Sequence, residues 1–400
     1  MALVHSPSIV TTGLNFYYDM NNNQKSWKGA PVTNYISNPY ASHNGSSFVN
    51  FGYNYANLGA TYTYVPGVNN PINSPGVLEY YSGTDGYKYF SIDSQTLPAT
   101  GTYTFSYYAR LKGSGGVSNR PVDNQLWRAN GTDRSVTGDW NPTFTTDWVR
   151  YATTGPAEAS TILQYFPVHS GLVYGGYTIQ YCGFQLEQGS YATPFVVGTR
   201  SNTQALVDLT GRNTITASSL TYSSDNTFTF TKSSGNYLTL PLLSSVNTNI
   251  TVSCWAYVTL GTSGCIFESG FGSGFGIGIG NNYYTAADTG NNIVALFPAV
   301  RWISTGVSYG STGWKNIVVT MDNAAVPSIY LNGNLIGTYS GTVPLTPVTN
   351  SYVGRNLGDE GSATDRAFNG QISSVAFYNR TLSLAEIQQN FNALRGRYGL

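Results

Sequence analysis

The octapeptide GLNFYYDM, residues 13–20, is a short strand-like run close to the start of this 400-residue chain. A second run of the same character, FNGQISSVAFYN at residues 368–379, lies close to the other end. Both carry the aromatic side chains that suit a half-buried strand. Because an isolated strand is not stable by itself, the first run predicts the opening strand of a β-sandwich whose other strands lie far along the chain.

The composition favours an all-β protein. The chain has 45 glycines, 32 tyrosines and only 10% charged residues, which is unlike a helical or α/β enzyme. Tyr, Thr, Val and Phe suit pleated, half-buried surfaces, and Gly, Asn, Asp and Pro recur at spacings that close turns between strands. A chain of this length predicts about two or three domains, each large enough to bury a core of its own.

The charge balance argues against polyanionic partners. The 19 basic and 19 acidic residues are scattered singly and cancel, so we expect neither nucleic acid nor a membrane as a partner. No run reaches the roughly 18 apolar residues of a membrane span. The opening MALVHSPSIV lacks the basic start and long apolar stretch of a secretory signal, so we expect synthesis in the cytosol.

The three cysteines, Cys182, Cys254 and Cys265, have neither metal-ligand spacing nor an even count. Buried free thiols are therefore the expected state. A disulfide between Cys254 and Cys265 is the one pairing that this arrangement leaves open.

Two groups of strand-like segments follow one another along the chain. The first group is VLEYYS (77–82), YKYFSI (87–92), GTYTFSYYARL (101–111), DWVRYATT (147–154) and GYTIQYCGFQLE (176–187). The second group is NTFTFTKSSGNYLTLP (226–241), ITVSCWAYVT (250–259), KNIVVTMD (315–322), PSIYLNGNLIGTY (327–339) and GQISSVAFYN (370–379). Proline, glycine and polar residues in 188–204 predict the boundary between the two groups.

Two local signals are sharper than the rest. Asn332 and Gly333 lie between two alternating strands and predict a type I′ hairpin turn, in which both central residues need positive φ. Near the C-terminus, Ser383 and Glu386 form a capping box ahead of an amphipathic run at 387–394, which predicts one short helix.

Three segments together resemble the concanavalin A-like or LamG-like jelly rolls found in structural proteins of tailed bacteriophages. They are GLNFYYDM (13–20), DLTGRNTITASSLTYSSDNTFTFTKSSGNYLTLP (208–241) and FNGQISSVAFYNRTLSLAEI (368–387). In the family the first strand runs almost directly into a D-L-[ST]-G turn, whereas Asp19 and Asp208 are far apart in this sequence. The resemblance therefore implies an insertion between them.

The inserted part is itself similar to β-sandwiches of the carbohydrate-binding-module type. GTYTFSYYAR, the later DWVRY and the closing GFQLEQGSYATPFVVGTRS carry this resemblance, and LEQGSYATPFVVGTR is similar to a segment common in phage particle proteins. The resemblances imply an all-β fold of two jelly-roll sandwiches, the first inserted into the second near its N-terminus. The expected parts are 1–30 as arm and first strand, 31–199 as the inserted sandwich and 200–400 as the host sandwich. Insertion is physically reasonable, because both ends of a domain often emerge close together.

Catalytic chemistry has little support in the sequence. Glucanases need two carboxylates flanking the scissile bond, but the predicted strands carry isolated acids, and we expect no enzyme activity and no cofactor. The densest acidic group, Asp359, Glu360 and Asp365, lies in the glycine-rich NLGDEGSATDR. A solvated loop is the expected structure there, with a Ca²⁺ site of carboxylates and carbonyls as the alternative.

Sugar binding is the alternative chemistry that the aromatic residues permit. Trp127, Trp140, Tyr283 and Tyr284 stand in turn-rich contexts such as GDWNPT and GNNYYT, and they are the candidate sugar-stacking residues. Contact with another subunit is the competing explanation, because aromatic side chains are enriched at protein interfaces. Trp148, Trp255 and Trp314 stand in strand patterns, and we expect them in the cores.

Two functional hypotheses follow. The first is a non-enzymatic virion protein at the surface of a tailed phage, a decoration, fibre or tail-associated subunit that contacts other virion proteins and forms a homo-oligomer, with a trimer expected first. The second is a receptor-binding module that recognises host-surface polysaccharide. The sequence leaves open whether the location is capsid or tail and which glycan is bound.

Overall fold

The computed structural model of the protein contains two compact units. One unit consists of Met1–Ala30 and Ser201–Leu400, and the other of Pro31–Arg200. We call them the host unit and the inserted unit. The structure describes residues 8–22, 25–40, 61–81, 88–113, 123–128, 144–157, 159, 162–170, 178–222, 228–231, 236–246, 248–262, 264–270, 274–280, 291–297, 301–339, 346–347, 350–356 and 367–400.

The host unit contains two antiparallel sheets. Its strands are β1 (Leu14–Asp19), β12 (Thr216–Ser218), β13 (Thr221–Tyr222), β14 (Phe228–Phe230), β15 (Tyr237–Leu240), β16 (Ile250–Val258), β17 (Gly264–Ser269), β18 (Phe275–Ile279), β19 (Asn292–Phe297), β20 (Arg301–Ser308), β21 (Gly313–Met321), β22 (Pro327–Leu331), β23 (Asn334–Thr338), β24 (Ser351–Val353) and β25 (Gly370–Tyr378). One sheet has the order β13-β14-β25-β16-β21-β22-β23, with β1 also paired to β25. The other has the order β12-β15-β24-β17-β18-β19-β20.

The host core forms from the alternate residues of these strands. In β21, for example, Ile317, Val319 and Met321 are buried in one large apolar cluster, while Trp314, on the opposite face, is half-buried. Successive side chains of a strand point to opposite faces, so this period of two places one apolar row in the core. The fold is the all-β sandwich that the sequence predicts.

Strand β1 completes the host unit from the N-terminal side. Tyr17 lies opposite Ala376, and Asp19 lies opposite Ser374, in antiparallel register with β25. Phe16 and Tyr18 of this strand are fully buried in the host core. The first strand of the sandwich therefore precedes the inserted unit in sequence, and its neighbour β25 follows it.

The turn DLTGRN explains how β1 is held. The buried Asp208 carboxylate accepts hydrogen bonds from the backbone N–H groups of Tyr17, Thr210, Arg212 and Asn213. It also accepts from the Thr210 hydroxyl at 2.7 Å and from the Asn213 side-chain amide at 2.9 Å. A carboxylate that receives this many donors is a strong local anchor, and it links β1 to the turn that follows the inserted unit.

The hairpin between β22 and β23 confirms the predicted turn. Asn332 has φ +49° and Gly333 has φ +78°, the two positive values that a type I′ turn requires. A Cβ on Gly333 would stand 3.2 Å from the Phe391 ring, so the turn also packs closely against the C-terminal helix.

The predicted C-terminal helix is α1, Leu384–Leu394, followed by a 3-10 turn at Arg395–Tyr398. Its N-cap is Ser383, and the capping box with Glu386 is present in both directions, as predicted. The Arg380 guanidinium donates two further hydrogen bonds to the Glu386 carboxylate, at 2.6 and 2.9 Å.

Aromatic stacking fixes the end of this helix on the sheet. The Tyr398 ring lies 4.1 Å from that of Trp255 and 4.7 Å from that of Trp314. Phe391 stacks on the same Trp255 at 5.7 Å. Since buried aromatic pairs add stability beyond their area, this cluster attaches the helix to the face of the sheet that points away from the core.

The inserted unit also contains antiparallel sheets. Its strands are β2 (Val32–Thr33), β3 (Thr61–Pro66), β4 (Gly76–Tyr81), β5 (Lys88–Thr96), β6 (Gly101–Leu111), β7 (Asp123–Arg128), β8 (Val149–Ala157), β9 (Ile162–Ser170), β10 (Thr178–Gln188) and β11 (Thr199–Arg200). A five-stranded sheet has the order β3-β4-β10-β6-β8, and a three-stranded sheet the order β5-β9-β7. The short β2 and β11 pair with each other, so the entering and leaving segments run side by side.

The closing segment LEQGSYATPFVVGTR has a structural explanation within this unit. The fully buried Glu187 carboxylate accepts hydrogen bonds from Gln185 and from the backbone and hydroxyl of Thr193. Arg200 in turn donates to the Thr193 hydroxyl and to the Pro194 carbonyl. Buried polar groups of this kind must be paired to be tolerated, so the segment's polar residues are required by folding.

All three cysteines are free and buried, which confirms the predicted thiols and excludes the Cys254–Cys265 disulfide in this structure. Burial raises the pKa of the Cys182 thiol to about 12, against a smaller opposing effect of Arg110. A thiol with so high a pKa is a poor nucleophile at neutral pH. Of the helices in the described part of the chain, none is long and apolar enough to cross a membrane.

Candidate functional site

A row of polar side chains crosses the face of the five-stranded sheet that points away from the core. Glu79 of β4 lies opposite Gln180 of β10, which lies opposite Arg110 of β6. Thr63 of β3 continues the row beyond Glu79. Directly opposed residues in an antiparallel sheet share one face, and the neighbouring Ile179 and Tyr181 point to the opposite face, into the core of this unit.

The side chains of this row are linked by hydrogen bonds. The Gln180 amide donates through Nε2 to Glu79 Oε1 at 2.6 Å and accepts through Oε1 from Arg110 Nε at 2.7 Å. Lys112 Nζ donates to the second oxygen, Glu79 Oε2, at 2.8 Å. Because Gln180 is 3% exposed, its two bonds are shielded from water and hold both charged neighbours in fixed positions.

The row forms the floor of an open groove with a volume of about 540 Å³. That volume lies within the range of about 300–1,000 Å³ that is usual for small-molecule sites. The polar lining residues are Glu79, Arg110, Lys112, Thr146 and Gln180, and the aliphatic ones are Val65, Val68 and Leu111. The groove thus combines apolar walls with hydrogen-bonding groups, which suits a ligand that has both kinds of surface.

One wall of the groove is a pre-formed loop between β3 and β4. Asn70 organises this loop, since its side chain donates to the Val68 and Ser74 carbonyls and accepts from the Ser74 N–H. Trp148 Nε1 donates to the Asn69 carbonyl at 3.1 Å, which attaches the loop to the segment before β8. A site that is ordered before binding loses less conformational entropy when a ligand arrives.

Trp148 also fixes the charged end of Arg110. The guanidinium carbon lies 4.7 Å from the centre of the indole ring, in cation-π contact. The Trp148 ring is half-buried, so the expectation that this residue belongs to the core is wrong. Its position before β8 directs it to the outer face of the sheet, where it supports Arg110.

Of the four sequence-predicted sugar residues, Trp127 alone belongs to the described part of the chain. Trp127 lies within strand β7, opposite Gln164 of β9, and so occupies a strand where a turn-rich context was expected. Trp140, Tyr283 and Tyr284 lie outside the described residues, as do the candidate metal ligands Asp359, Glu360 and Asp365. Sugar binding by these aromatics and Ca²⁺ binding by these acids stay predictions.

The other two tryptophans expected in the cores have different surroundings. Trp255 is 2% exposed, but it is buried by the C-terminal helix on the outer face of its sheet. Trp314 is only half-buried and contacts Tyr398. The expectation of a core position therefore fails for Trp314.

The groove residues that the sequence analysis missed had no local signal. Arg110 and Gln180 each look like the polar half of an alternating strand, and only the register between distant strands makes them neighbours. The alternation of GTYTFSYYARL and GYTIQYCGFQLE could have indicated the outward positions, but not their pairing.

Glu79 is the sole carboxylate among the described residues that line the groove. Both of its oxygens are engaged, one by Gln180 and one by Lys112. In the described part of the chain no group of three or more His, Cys, Asp or Glu residues could hold a metal ion. The arrangement can donate and accept hydrogen bonds and can contact a charged ligand.

The host unit is similar to jelly rolls of the concanavalin A-like, LamG-like kind. The family model described as the concanavalin A-like lectin/glucanases superfamily matches residues 231–388, which lie in the host unit. No curated protein sequence matches the chain.

Solved structures resemble parts of the chain at low identity. A mutant of Trypanosoma rangeli sialidase with trans-sialidase activity is 17% identical, with a TM-score of 0.37 over 47% of this chain and 31% of that chain. The botulinum neurotoxin type G receptor-binding domain is 15% identical, with a TM-score of 0.34 over 46% of this chain and 48% of that one. Domain 4 of an extracellular arabinanase from Geobacillus stearothermophilus, in complex with arabinotriose, is 17% identical, with a TM-score of 0.35 over 48% and 92%. The chain spans less than half the length of the first two.

Proposed function

We propose that the protein is a non-enzymatic carbohydrate-binding protein, and that the groove of the inserted unit holds a polysaccharide of a host surface. The observation that carries this proposal is the fixed row of Glu79, Gln180 and Arg110 along a groove with aliphatic walls. Sugars present hydroxyl groups and C–H surfaces side by side, so they fit a lining of this mixed character. The site is already built before binding, as the loop contacts of Asn70 indicate.

The absence of catalysis is part of the proposal. Hydrolysis of a glycosidic bond needs a pair of carboxyl groups about 5–9.5 Å apart, one of which serves as an acid. Glu79 has no carboxylate neighbour among the described lining residues, and its hydrogen bonds keep it in a structural role. Release of oligosaccharide from a bound polysaccharide would contradict this part of the proposal.

A glycan array tests the binding itself. The full-length chain should bind a subset of bacterial surface polysaccharides, and the double variant Arg110→Ala, Lys112→Ala should lose that binding. The matched control is Lys25→Ala, which removes an exposed lysine of the host unit. If binding survives the double variant but is lost in Trp140→Ala or Tyr284→Ala, the loop aromatics carry recognition and the groove does not.

We further propose a location, a virion surface of a tailed phage, where the protein acts as a decoration, fibre or tail-associated subunit and assembles as a homotrimer with other virion proteins. The support is the resemblance of the sequence, above all LEQGSYATPFVVGTR and the C-terminal FNGQISSVAFYNRTLSLAEI. Light scattering of the purified chain at micromolar concentration should give the mass of a trimer. A monomeric mass, together with failure to attach to particles, would contradict the assembly role.

A further inference from the structure

The Arg110 guanidinium is held in place with part of its hydrogen-bonding capacity unused. Its Nε donates to Gln180, and within the described part of the chain its two terminal nitrogens have no hydrogen-bond partner. A guanidinium carries five N–H donors in a planar fork. Four of them, on the two terminal nitrogens, are therefore available on a residue that lines the groove.

The surroundings of Arg110 fix the plane of this fork. The centre of the Trp148 ring lies 4.7 Å from the guanidinium carbon. The ring is held in turn by the hydrogen bond that Trp148 Nε1 donates to the Asn69 carbonyl. Glu79 orients the Gln180 amide, whose oxygen then faces Arg110 Nε. With its orientation set on two sides, the fork can receive a planar ligand at little further entropic cost.

The negative charge of Glu79 is already compensated inside the groove. Lys112 and Gln180 engage its two oxygens, and its side chain is only 13% exposed. Lys112, whose side chain is 53% exposed, donates one of its three ammonium hydrogens to Glu79. Two cationic side chains and one compensated anionic one leave the described lining with a net positive charge of one.

We propose that the groove selects sugars that carry a carboxylate, such as uronic or sialic acids, with the Arg110 fork binding the carboxylate and Lys112 reinforcing it. This inference rests on the proposed carbohydrate-binding function and specifies its ligand class. Arg–carboxylate pairs are bidentate and charge-assisted, and they are roughly twice as strong as neutral hydrogen bonds. The apolar side chains of Val65 and Val68 then contact the C–H faces of the ring.

The test compares acidic polysaccharides with uncharged forms of the same backbones. The probes are polygalacturonate, alginate, hyaluronate and polysialic acid, each paired with its methyl-esterified or carboxyl-reduced form, and dextran sulfate serves as a general polyanion. We expect at least one acidic member to bind the full-length chain about 10-fold or more tighter than its uncharged form, the factor that 1.4 kcal/mol represents. Its affinity should fall as sodium chloride rises from 50 to 500 mM, because salt screens exposed charges.

Two variants locate the effect at Arg110. Arg110→Gln should remove the preference for the acidic form, so that the acidic and uncharged forms bind with the same affinity. Arg110→Lys keeps the positive charge but lacks the planar fork of donors, so it should retain only part of the preference for the acidic form. Lys25→Gln is the control with the same change of charge in the host unit, and thermal unfolding followed by circular dichroism shows that each variant is folded.

The outcomes separate this inference from the proposed function. Equal affinity for acidic and uncharged forms, or binding of dextran sulfate as tightly as of any carboxylated polymer, overturns the carboxylate preference. Binding of neutral glycans on the array with none to the acidic probes overturns it too, yet leaves carbohydrate binding intact. Failure to bind any glycan, charged or neutral, overturns both.

Discussion

At the scale of single residues, Asp208 links a motif that is visible in the sequence to a long-range contact in the structure. The D-L-T-G motif marks it, and in the structure its carboxylate gathers four backbone N–H groups and two side chains around one buried point. One of those N–H groups belongs to Tyr17 in β1. The motif therefore encodes a contact between two segments separated by the whole inserted unit.

Replacing Asp208 by Asn should destabilise the host unit by about 3 kcal/mol, since hydrogen bonds to a charged group contribute roughly 1.5–3 kcal/mol each and an amide cannot accept at both positions. Urea unfolding at neutral pH measures the change. Asp322→Asn is the matched control, because Asp322 accepts two backbone N–H groups in an exposed turn. A loss at Asp208 no larger than the loss at Asp322 would show that the buried network has no special importance.

The groove illustrates what single residues do not reveal. Sequence patterns identified Trp127, Trp140, Tyr283 and Tyr284 because exposed aromatics in turns are a recognisable signal. Arg110, Gln180 and Glu79 acquire their meaning from three strands in register, a relation between positions that are up to about a hundred residues apart. Trp148 stands in a strand pattern, which predicts a core position, but in the structure it lies one residue before β8 and is half-buried.

At the scale of elements, the parts that the sequence predicts best are those with a local chemical code. The Asn332-Gly333 turn needs positive φ at both positions, and the Ser383–Glu386 capping box satisfies free N–H groups at a helix start. Each code operates within a few residues, so no tertiary information is needed to recognise it. Sheet order has no such code, because long-range packing decides which strands pair.

The capping box of α1 should make part of the free energy of unfolding of the host unit depend on pH, through the Glu386 carboxyl. The hydrogen bonds from Arg380, and then those from Ser383, lower the pKa of the Glu386 carboxyl to about 2, although partial burial opposes this shift. A carboxyl whose pKa falls on folding stabilises the native state above its unfolded pKa of about 4.3. That contribution is lost as pH falls from about 4.3 towards 2.

Glu386→Gln should therefore be less stable than the natural chain by about 1 kcal/mol at pH 7, the usual size of a cap or exposed charged hydrogen bond. The difference should shrink steadily below pH 4 and vanish near pH 2. Paired urea unfolding curves across this range measure it. A difference that stays constant with pH would mean that the charge of Glu386 does not contribute.

The aromatic cluster at the end of the helix permits a second test at this scale. Tyr398→Ala removes the ring that lies 4.1 Å from Trp255 and 4.7 Å from Trp314. Because Tyr398 is half-buried, the change should cost about 2 kcal/mol, less than the roughly 3–5 kcal/mol of a fully buried aromatic. Tyr398→Phe keeps the stack and loses the hydrogen bonds of the hydroxyl, among them the one to Ser373, so about 1 kcal/mol is expected. Tryptophan fluorescence during urea unfolding reports both. Equal losses in the two variants would show that the hydroxyl, and not the ring, holds the helix.

At the scale of the whole molecule, the position of the inserted unit explains the distance between β1 and β25 in sequence. In the host unit Trp27 bridges to Leu206, and Lys28 donates its backbone N–H to Ala205. In the inserted unit Val32 pairs with Arg200. At each of these points the segment that leads into the inserted unit runs beside the segment that leads out of it. The family resemblance implies an insertion here, because Asp19 and the D-L-T-G turn at Asp208, which are close in sequence in the family, are far apart in this chain.

Removing residues 31–200 and joining Ala30 to Ser201 through about four Gly and Ser residues should therefore leave a folded host unit. The linker only has to span neighbouring strands, and closing a short loop costs little entropy. Far-ultraviolet circular dichroism and a single cooperative urea transition are the measurements. If this shortened chain lacks a cooperative transition, the host unit depends on the inserted one and the two are not separate folding units.

The matched control for that excision also lacks residues 1–20. It deletes β1, so Phe16 and Tyr18 leave the core and β25 loses the partner that Tyr17 and Asp19 provide. Burial of two large apolar side chains contributes roughly 3–6 kcal/mol, which is a large part of the stability of a typical domain. The control should therefore be unfolded or markedly less stable at 25 °C, while the excision variant that keeps β1 is not. Equal stability of the two would mean that the N-terminal octapeptide is dispensable, and that the sandwich is complete without the strand from which the fold was inferred.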